Sequence, residues 1–166
     1  MNRIRINTGK IGLVFNNGDY KKVITEGAYW FFSDDVLEYD MTKPFNPSID
    51  LSILLKDVKL ASMLTVVEVK DNEIALQYEN GNFKNVLTPG RYAFWKGITE
   101  YTFVKADLSK IAVTENIDIN TIMRKEVLPY VRVFVVESFE KGILLIDGQF
   151  SKILETGVFT SGRMLL

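Results

Sequence analysis

The chain has 166 residues, of which 47% are apolar and 25% charged, and its formal net charge is −1. This composition is typical of a globular protein with its own core, and the balanced charge argues against a nucleic-acid partner. The chain has neither Cys nor His, which excludes disulfides, thiolate nucleophiles, Cys-type metal sites and Ser-His-Asp catalysis. We therefore expect no metal, no cofactor and no small-molecule substrate.

The uncharged runs of the sequence are short. The longest, 11–18 and 60–67, have eight residues each, whereas a membrane-spanning helix needs about 20 apolar residues. We therefore expect no membrane-spanning segment and a cytoplasmic protein.

The first predicted element is a β-hairpin. A strand with alternating apolar residues leads into Asn17-Gly18, a dipeptide that favours the type I′ turn of a two-residue hairpin. The apolar pair Val23-Ile24 lies in the returning strand, and Gly27 predicts a second turn. The sequence from 11 to 27 therefore indicates strand, turn, strand and turn.

A further strand and a short helix are predicted next. The strand-like stretch 36–41 ends in the sequence Asp40-Met41-Thr42-Lys43. Helical i, i+3, i+4, i+7 spacing then relates four apolar residues, for which Ser48 or Asp50 could cap the helix. These residues are Leu51, Leu54, Leu55 and Val58.

The same order recurs twice, which is the main finding from the sequence. The first-turn glycines are Gly18, Gly81 and Gly148, and a second glycine follows nine positions later at Gly27, Gly90 and Gly157. A small residue, Gly12, Ala75 or Gly142, precedes each hairpin turn and indicates a bulge or a close crossing by another element. Thr88-Pro89-Gly90 favours a type II turn.

The second copy continues as the first does, and the third does not. Asp107-Leu108-Ser109-Lys110 matches the sequence after Asp40, and a helix is predicted after Asp118, with Pro129 as its stop. The β-branched stretches 65–69 and 131–136 predict strands that lead into the next hairpin. The helical positions of the second copy are Ile119, Ile122, Met123 and Val127. After Phe159 the third copy loses the pattern.

We therefore predict a strand-rich α+β fold of tandem β-hairpin repeats, each followed by a strand and a short helix, with the third repeat truncated. The predicted units are residues 1–66, 67–133 and 134–166, and they could form one compact body. A truncated third repeat leaves a strand edge that favours pairing with another chain.

Aromatic residues cluster just after the second turn in two copies, at Trp30, Phe31, Phe94 and Trp95. Exposed aromatics often anchor protein interfaces, so these four are candidates for an interaction surface. Core packing of the third strand is the alternative, since large aromatics are usually buried.

Charged residues offer two weaker candidates. Lysines on the second hairpin strands could contact anionic lipid, or could simply form a solvated face. The acidic residues Asp34, Asp35, Asp71 and Glu73 are the nearest approach to a carboxylate pair, and turn positions explain them as well. The lysines are Lys21, Lys22, Lys84 and Lys152.

The hairpin of the third copy resembles that of a known family, and the hairpins of the first two copies look similar to it. The residues from Gly142 to Phe150, with Ile153-Leu154, Gly157 and Phe159, resemble the opening hairpin of slipins, in the stomatin/prohibitin/flotillin (SPFH) superfamily. The resemblance implies an N-terminal repeat region of a slipin-like protein. Members of that family assemble into large membrane-associated oligomers that scaffold or regulate other proteins.

The sequence thus predicts a non-enzymatic module for assembly or protein interaction, with self-association as the expected partnership and scaffolding at a membrane as the implied setting. A hydrolase that uses only Asp and Glu, and a peripheral lipid-binding domain, are the alternatives. No residue pattern predicts a catalytic or cofactor-binding position.

Overall fold

The structure is a computed structural model that describes residues 2–110 and 117–162. The strands of these residues are β1 Asn2–Ile6, β2 Lys10–Asn16, β3 Asp19–Ile24, β4 Gly27–Phe31, β5 Asp35–Asp40, β6 Leu64–Val69, β7 Glu73–Glu79, β8 Asn82–Leu87, β9 Gly90–Trp95, β10 Tyr101–Asp107, β11 Val131–Val136, β12 Gly142–Ile146, β13 Gln149–Leu154 and β14 Gly157–Gly162. The helices are α1 Leu51–Leu54, α2 Val58–Ser62, α3 Ile119–Ile122 and a 3₁₀ helix at Leu128–Tyr130. The predicted strand-rich α+β class is confirmed. The predicted end of the third copy, at 163–166, lies outside the described residues.

Strand pairing repeats with the sequence. A leading strand pairs with the strand after the second turn, as β1 with β4, β6 with β9 and β11 with β14. The first strand of each early hairpin lies between two neighbours, in the orders β3-β2-β5 and β8-β7-β10. The third hairpin differs, because β12 pairs only with β13 among the residues that the structure describes.

Both turns of each copy contain a glycine with positive φ, but the φ values differ between the first turn and the second. The first-turn residues have positive φ at both central positions, namely Asn17 51° and Gly18 85°, Asn80 49° and Gly81 79°, and Asp147 51° and Gly148 78°. The predicted type I′ turns are therefore confirmed. The second-turn glycines Gly27, Gly90 and Gly157 have φ of 149°, 153° and 155°. The type II turn predicted at Gly90 is wrong, because that turn needs φ near +80°.

The strands that follow the first two hairpins end in the same turn. The Asp40 carboxylate accepts hydrogen bonds from the Thr42 amide at 2.9 Å and hydroxyl at 2.7 Å. Asp107 accepts the same two bonds from Ser109, at 3.0 and 2.6 Å. The first two copies therefore share the hydrogen bonds of this turn as well as its sequence.

Contacts divide the chain into two compact units. One contains the described residues of Met1–Glu68, Glu79–Asn82 and Arg91–Thr102, and the other those of Val69–Tyr78, Phe83–Gly90 and Phe103–Leu166. Both units take strands from the second copy, and the repeat boundaries predicted from the sequence stay a prediction.

Each unit has a core in which short helical segments cover one hairpin face. In the first unit, Leu13 of β2 packs in one cluster with Leu54 of α1 and Leu60 of α2. In the second unit, Leu76 of β7 packs in one cluster with Ile122 of α3 and with Val127. These helical segments supply the cover that a two-stranded hairpin lacks by itself.

The helices are shorter than the spacing predicts. The single helix predicted from Leu51 to Val58 is in fact two helices, because the first ends at Leu54 and the second begins after Asp57. Val58 is 82% exposed. Asp50 caps the first of them, as one of the two predicted alternatives. Pro129 lies inside the 3₁₀ helix, so it does not stop α3, which ends at Ile122. No helix in the described part of the chain is both long and apolar enough to span a membrane.

Asp57 is the residue that ties the helical cover of the first unit to its hairpin. Its Oδ1 accepts hydrogen bonds from the amides of Lys59 at 2.9 Å and Leu60 at 3.2 Å, which caps α2. Its Oδ2 accepts bonds from the Tyr20 hydroxyl at 2.6 Å and the Val23 amide at 3.3 Å, both on β3. One carboxylate thus links two elements that are 34 or more residues apart in the chain.

These contacts shift both pKa values. Burial raises the pKa of the Tyr20 hydroxyl, and the adjacent Asp57 carboxylate raises it further. Burial by itself would raise the pKa of Asp57, but the four donated hydrogen bonds outweigh it, so that the pKa lies below the ordinary value of 3.8. The ionised form of Asp57 is therefore the form that stabilises the fold.

Replacing Asp57 with Ala should lower the free energy of unfolding by about 3 kcal/mol, because a helix cap is lost and the Tyr20 hydroxyl loses its acceptor. Asp50→Ala is the matched control, since the Asp50 carboxylate caps α1 through the Ser52 amide and bonds to no strand among the described residues, and it should cost about 1 kcal/mol. Urea unfolding measures both. Equal losses would show that the bonds to β3 contribute nothing.

The contribution of Asp57 should also depend on pH. Because its folded-state pKa lies below 3.8, its stabilisation is complete above that pH and is lost as pH falls through the folded-state value. The difference in unfolding free energy between the native chain and Asp57→Asn should therefore shrink from pH 7 to pH 3. A difference that stays constant over this range would contradict the assignment.

Candidate functional site

The third hairpin exposes the apolar face that the first two hairpins bury. We call this face, formed by Ile143, Leu145, Phe150 and Ile153, the open face. Leu13 and Leu76 are fully buried, while Ile143 at the equivalent position is 69% exposed. Val23 is 3% exposed and its equivalent Ile153 is 52% exposed. Leu145 and Phe150 are also more than half exposed.

The position of Phe150 is where the cover is attached in the other copies. Tyr20, its equivalent in the first copy, donates its hydroxyl hydrogen bond to Asp57 of the helical cover. Phe83, its equivalent in the second, lies 5.1 Å from the guanidinium of Arg124, just after α3. Phe150 has an apolar ring at the same place and is 65% exposed. The position that contacts the helical cover in the first two copies is thus exposed to solvent in the third.

The other side of the third hairpin is partly covered by residues of the chain. Gly142 shows this, since a Cβ there would lie 3.1 Å from a Val136 methyl carbon and 3.2 Å from Leu154 Cβ. Leu144 and Leu154 are only partly exposed. The open face is therefore the more exposed of the two faces of the hairpin.

The outer edge of β12 is also open. We call residues 140–145 on this side the open edge, because their counterparts in β2 pair with β5 from Lys10↔Asp40 to Phe15↔Asp35. A groove of about 700 Å³ runs along it, with walls from β11 and β12. Its lining residues are Phe134, Val135, Val136, Glu140, Lys141, Gly142, Ile143, Leu144, Leu145 and Leu154.

The predicted aromatic surface is mostly core. Phe31, Phe94 and Trp95 are 7%, 2% and 1% exposed, which corrects the interaction-surface interpretation for these three residues and supports the core alternative. Phe31 faces the cluster of Ile6 because its strand, β4, pairs with β1. Trp30 alternates to the other side of the strand and is 59% exposed, with the Arg3 guanidinium 5.9 Å from its ring. Alternation along a strand separates neighbours that the sequence shows as one cluster.

Two of the four acidic candidates accept structural hydrogen bonds. Asp34 accepts one from the side-chain amide of Asn16 at 2.9 Å, and Glu73 accepts one from the Lys70 backbone amide at 3.2 Å. No group of three or more His, Cys, Asp or Glu side chains suited to a metal ion occurs in residues 2–110 and 117–162. The lysines considered as lipid contacts, Lys21, Lys22, Lys84 and Lys152, are exposed.

Replacing Ile143 with Ala should change the free energy of unfolding by less than about 0.5 kcal/mol, because its side chain is mostly in water. Leu76→Ala, at the same position of the preceding hairpin, should cost about 3 kcal/mol through the cavity that it leaves. Chemical unfolding of dilute samples compares them. A cost at Ile143 similar to that at Leu76 would show that the open face is covered within the chain.

No protein family, no curated protein and no solved structure matches the chain. The open face and the open edge therefore have to be interpreted from their own geometry and chemistry.

Proposed function

We propose that the chain is a non-enzymatic assembly module and that the third hairpin is where it associates with protein. The observation that carries the proposal is the exposure of Ile143, Leu145, Phe150 and Ile153, whose counterparts are covered in both earlier copies. A contiguous exposed apolar surface of this kind is characteristic of an interaction site.

The expected partner for the open face is a second copy of the chain. Two copies related by a two-fold axis can cover the same four side chains at once, because such an interface joins identical surfaces. Burying one large apolar side chain contributes roughly 1.5–3 kcal/mol before the cost of association is subtracted. A pair of open faces offers eight such side chains, four from each copy, which is enough to drive association.

The resemblance to slipins supports the same direction. The residues that carry it lie in β12, β13 and the start of β14, and the first two hairpins look similar, so the hairpin unit of the chain resembles that of a family of assembling proteins. The proposal accordingly includes a slipin-like, cytoplasmic protein that scaffolds other proteins at a membrane surface.

Multi-angle light scattering after size-exclusion chromatography tests self-association. The native chain should gain mass as its concentration rises from micromolar to near-millimolar, and Ile143→Glu should remain a monomer because a charge would have to be buried in the interface. Val58→Glu is the matched control. Val58 is also an exposed aliphatic residue, at 82%, but it lies on α2 of the first copy and not on the third hairpin.

Two results would contradict the proposal. A native chain that remains monomeric throughout this range would remove self-association. Association that Ile143→Glu leaves intact, or that Val58→Glu abolishes equally, would place the contact elsewhere than on the open face.

A further inference from the structure

The open edge carries a charged residue whose equivalents in the first two copies form ion pairs with the neighbouring strand. Lys10, at the start of β2, forms an ion pair with Glu38 of β5 at 3.2 Å. Glu73, at the same position of β7, forms one with Lys105 of β10 at 4.0 Å. The two pairs join equivalent positions with their signs exchanged. The first residue of the hairpin strand and its partner on the added strand are therefore opposite in charge in both copies.

Glu140 occupies this position in the third copy, and its carboxylate is placed as that of Glu73 is. Glu140 Oε2 accepts a hydrogen bond from the Glu137 amide at 3.3 Å, just as Glu73 Oε2 accepts one from the Lys70 amide at 3.2 Å. Among the described residues Glu140 has no ion-pair partner, since the nearby Lys141 is paired with Glu155 at 3.1 Å. The Glu140 carboxylate is thus positioned to form an ion pair with a basic residue on an added strand.

The backbone of the edge repeats the earlier arrangement as well. The carbonyl of Gly9 accepts a hydrogen bond from the Met41 amide at 2.9 Å, and that of Asn72 accepts one from the Leu108 amide at 2.8 Å. Phe139 is the equivalent residue of the third copy. Its carbonyl is therefore the expected acceptor for the residue that ends an added strand.

A small residue leaves room for one side chain of that strand. At Gly12, a Cβ would lie 2.8 Å from a methyl carbon of Val36 on β5, so the added strand packs where the glycine has no side chain. Gly142 likewise has no side chain, and it lines the groove. In the first two copies the strand residues that run from this gap to the ion pair are Val36-Leu37-Glu38 and Phe103-Val104-Lys105.

We infer that the open edge of β12 binds an antiparallel strand with an apolar residue, any residue, and then Lys or Arg, the basic side chain pairing with Glu140. The occupant is a strand of the β10 type that lies outside the described residues, because β5 and β10 of the chain are already paired with β2 and β7. The inference rests on the proposed function, since it names the partner of the edge that adjoins the open face. Backbone hydrogen bonds hold the strand, and the charge pair selects it.

A peptide with the sequence of residues 98–110, labelled with a fluorophore, is the probe. Fluorescence anisotropy should show that the native chain binds it at least about fivefold more tightly than the same peptide with Lys105→Glu, a factor in the range of an exposed ion pair. The variant chain Glu140→Lys should reverse the preference. Glu126→Lys, the same charge change at an exposed position outside the edge, should retain the preference of the native chain.

The outcomes separate the inference from the proposed function. Failure of both peptides to bind a chain that still self-associates would overturn the strand and leave the assembly module standing. Equal binding of the two peptides, or an unchanged preference in Glu140→Lys, would overturn the charge selection. Loss of self-association in Glu140→Lys would assign the edge to a second copy and overturn the proposed occupant.

Discussion

The apolar face of each hairpin has to be covered by residues outside it, because two strands by themselves cannot remove one face from water. The first copy meets this requirement with α1 and α2, which Asp57 joins to β3 through the Tyr20 hydroxyl. The second copy meets it with α3 and the segment that follows, where Arg124 lies over the Phe83 ring. The chemistry of attachment differs between the copies, yet the position on the hairpin is the same. The attachment of the cover therefore differs between the two copies, while its place on the hairpin does not.

The sequence predicts the hairpins well because their geometry is decided locally. Asn17-Gly18 and its counterparts adopt positive φ through the properties of the two residues themselves, whatever packs nearby. The turns at Asp40 and Asp107 are equally local, since each carboxylate accepts its hydrogen bonds from the residue two positions later. The conformation of Gly90 is harder to predict from the sequence, because a Pro-Gly pair favours a type II turn, whereas Gly90 begins β9 with a φ of 153°.

The helices and the aromatic cluster depend on contacts that are distant in the chain. Helical spacing places Val58 on the same face as Leu54, but Asp57 ends that register when its carboxylate caps α2 and bonds to Tyr20. Trp30 and Phe31 are adjacent in the sequence and differ by about fifty percentage points in exposure, 59% against 7%. Only the pairing of β4 with β1 decides which of the two faces the core. Sequence periodicity gives the alternation, but not its direction.

One substitution distinguishes the open face from an unfinished core. Ile11 and Ile74 are buried in the first two copies, whereas the equivalent residue of the third is Lys141, whose ammonium lies 3.1 Å from the Glu155 carboxylate. A cover as complete as that of the earlier hairpins would have to bury this ion pair, at a desolvation cost of several kcal/mol for each charge. A partner that covers only the apolar centre leaves the pair at a solvated rim, which is the usual anatomy of a protein interface. The third hairpin thus has the composition of a surface that associates, with its charges placed where association does not dehydrate them.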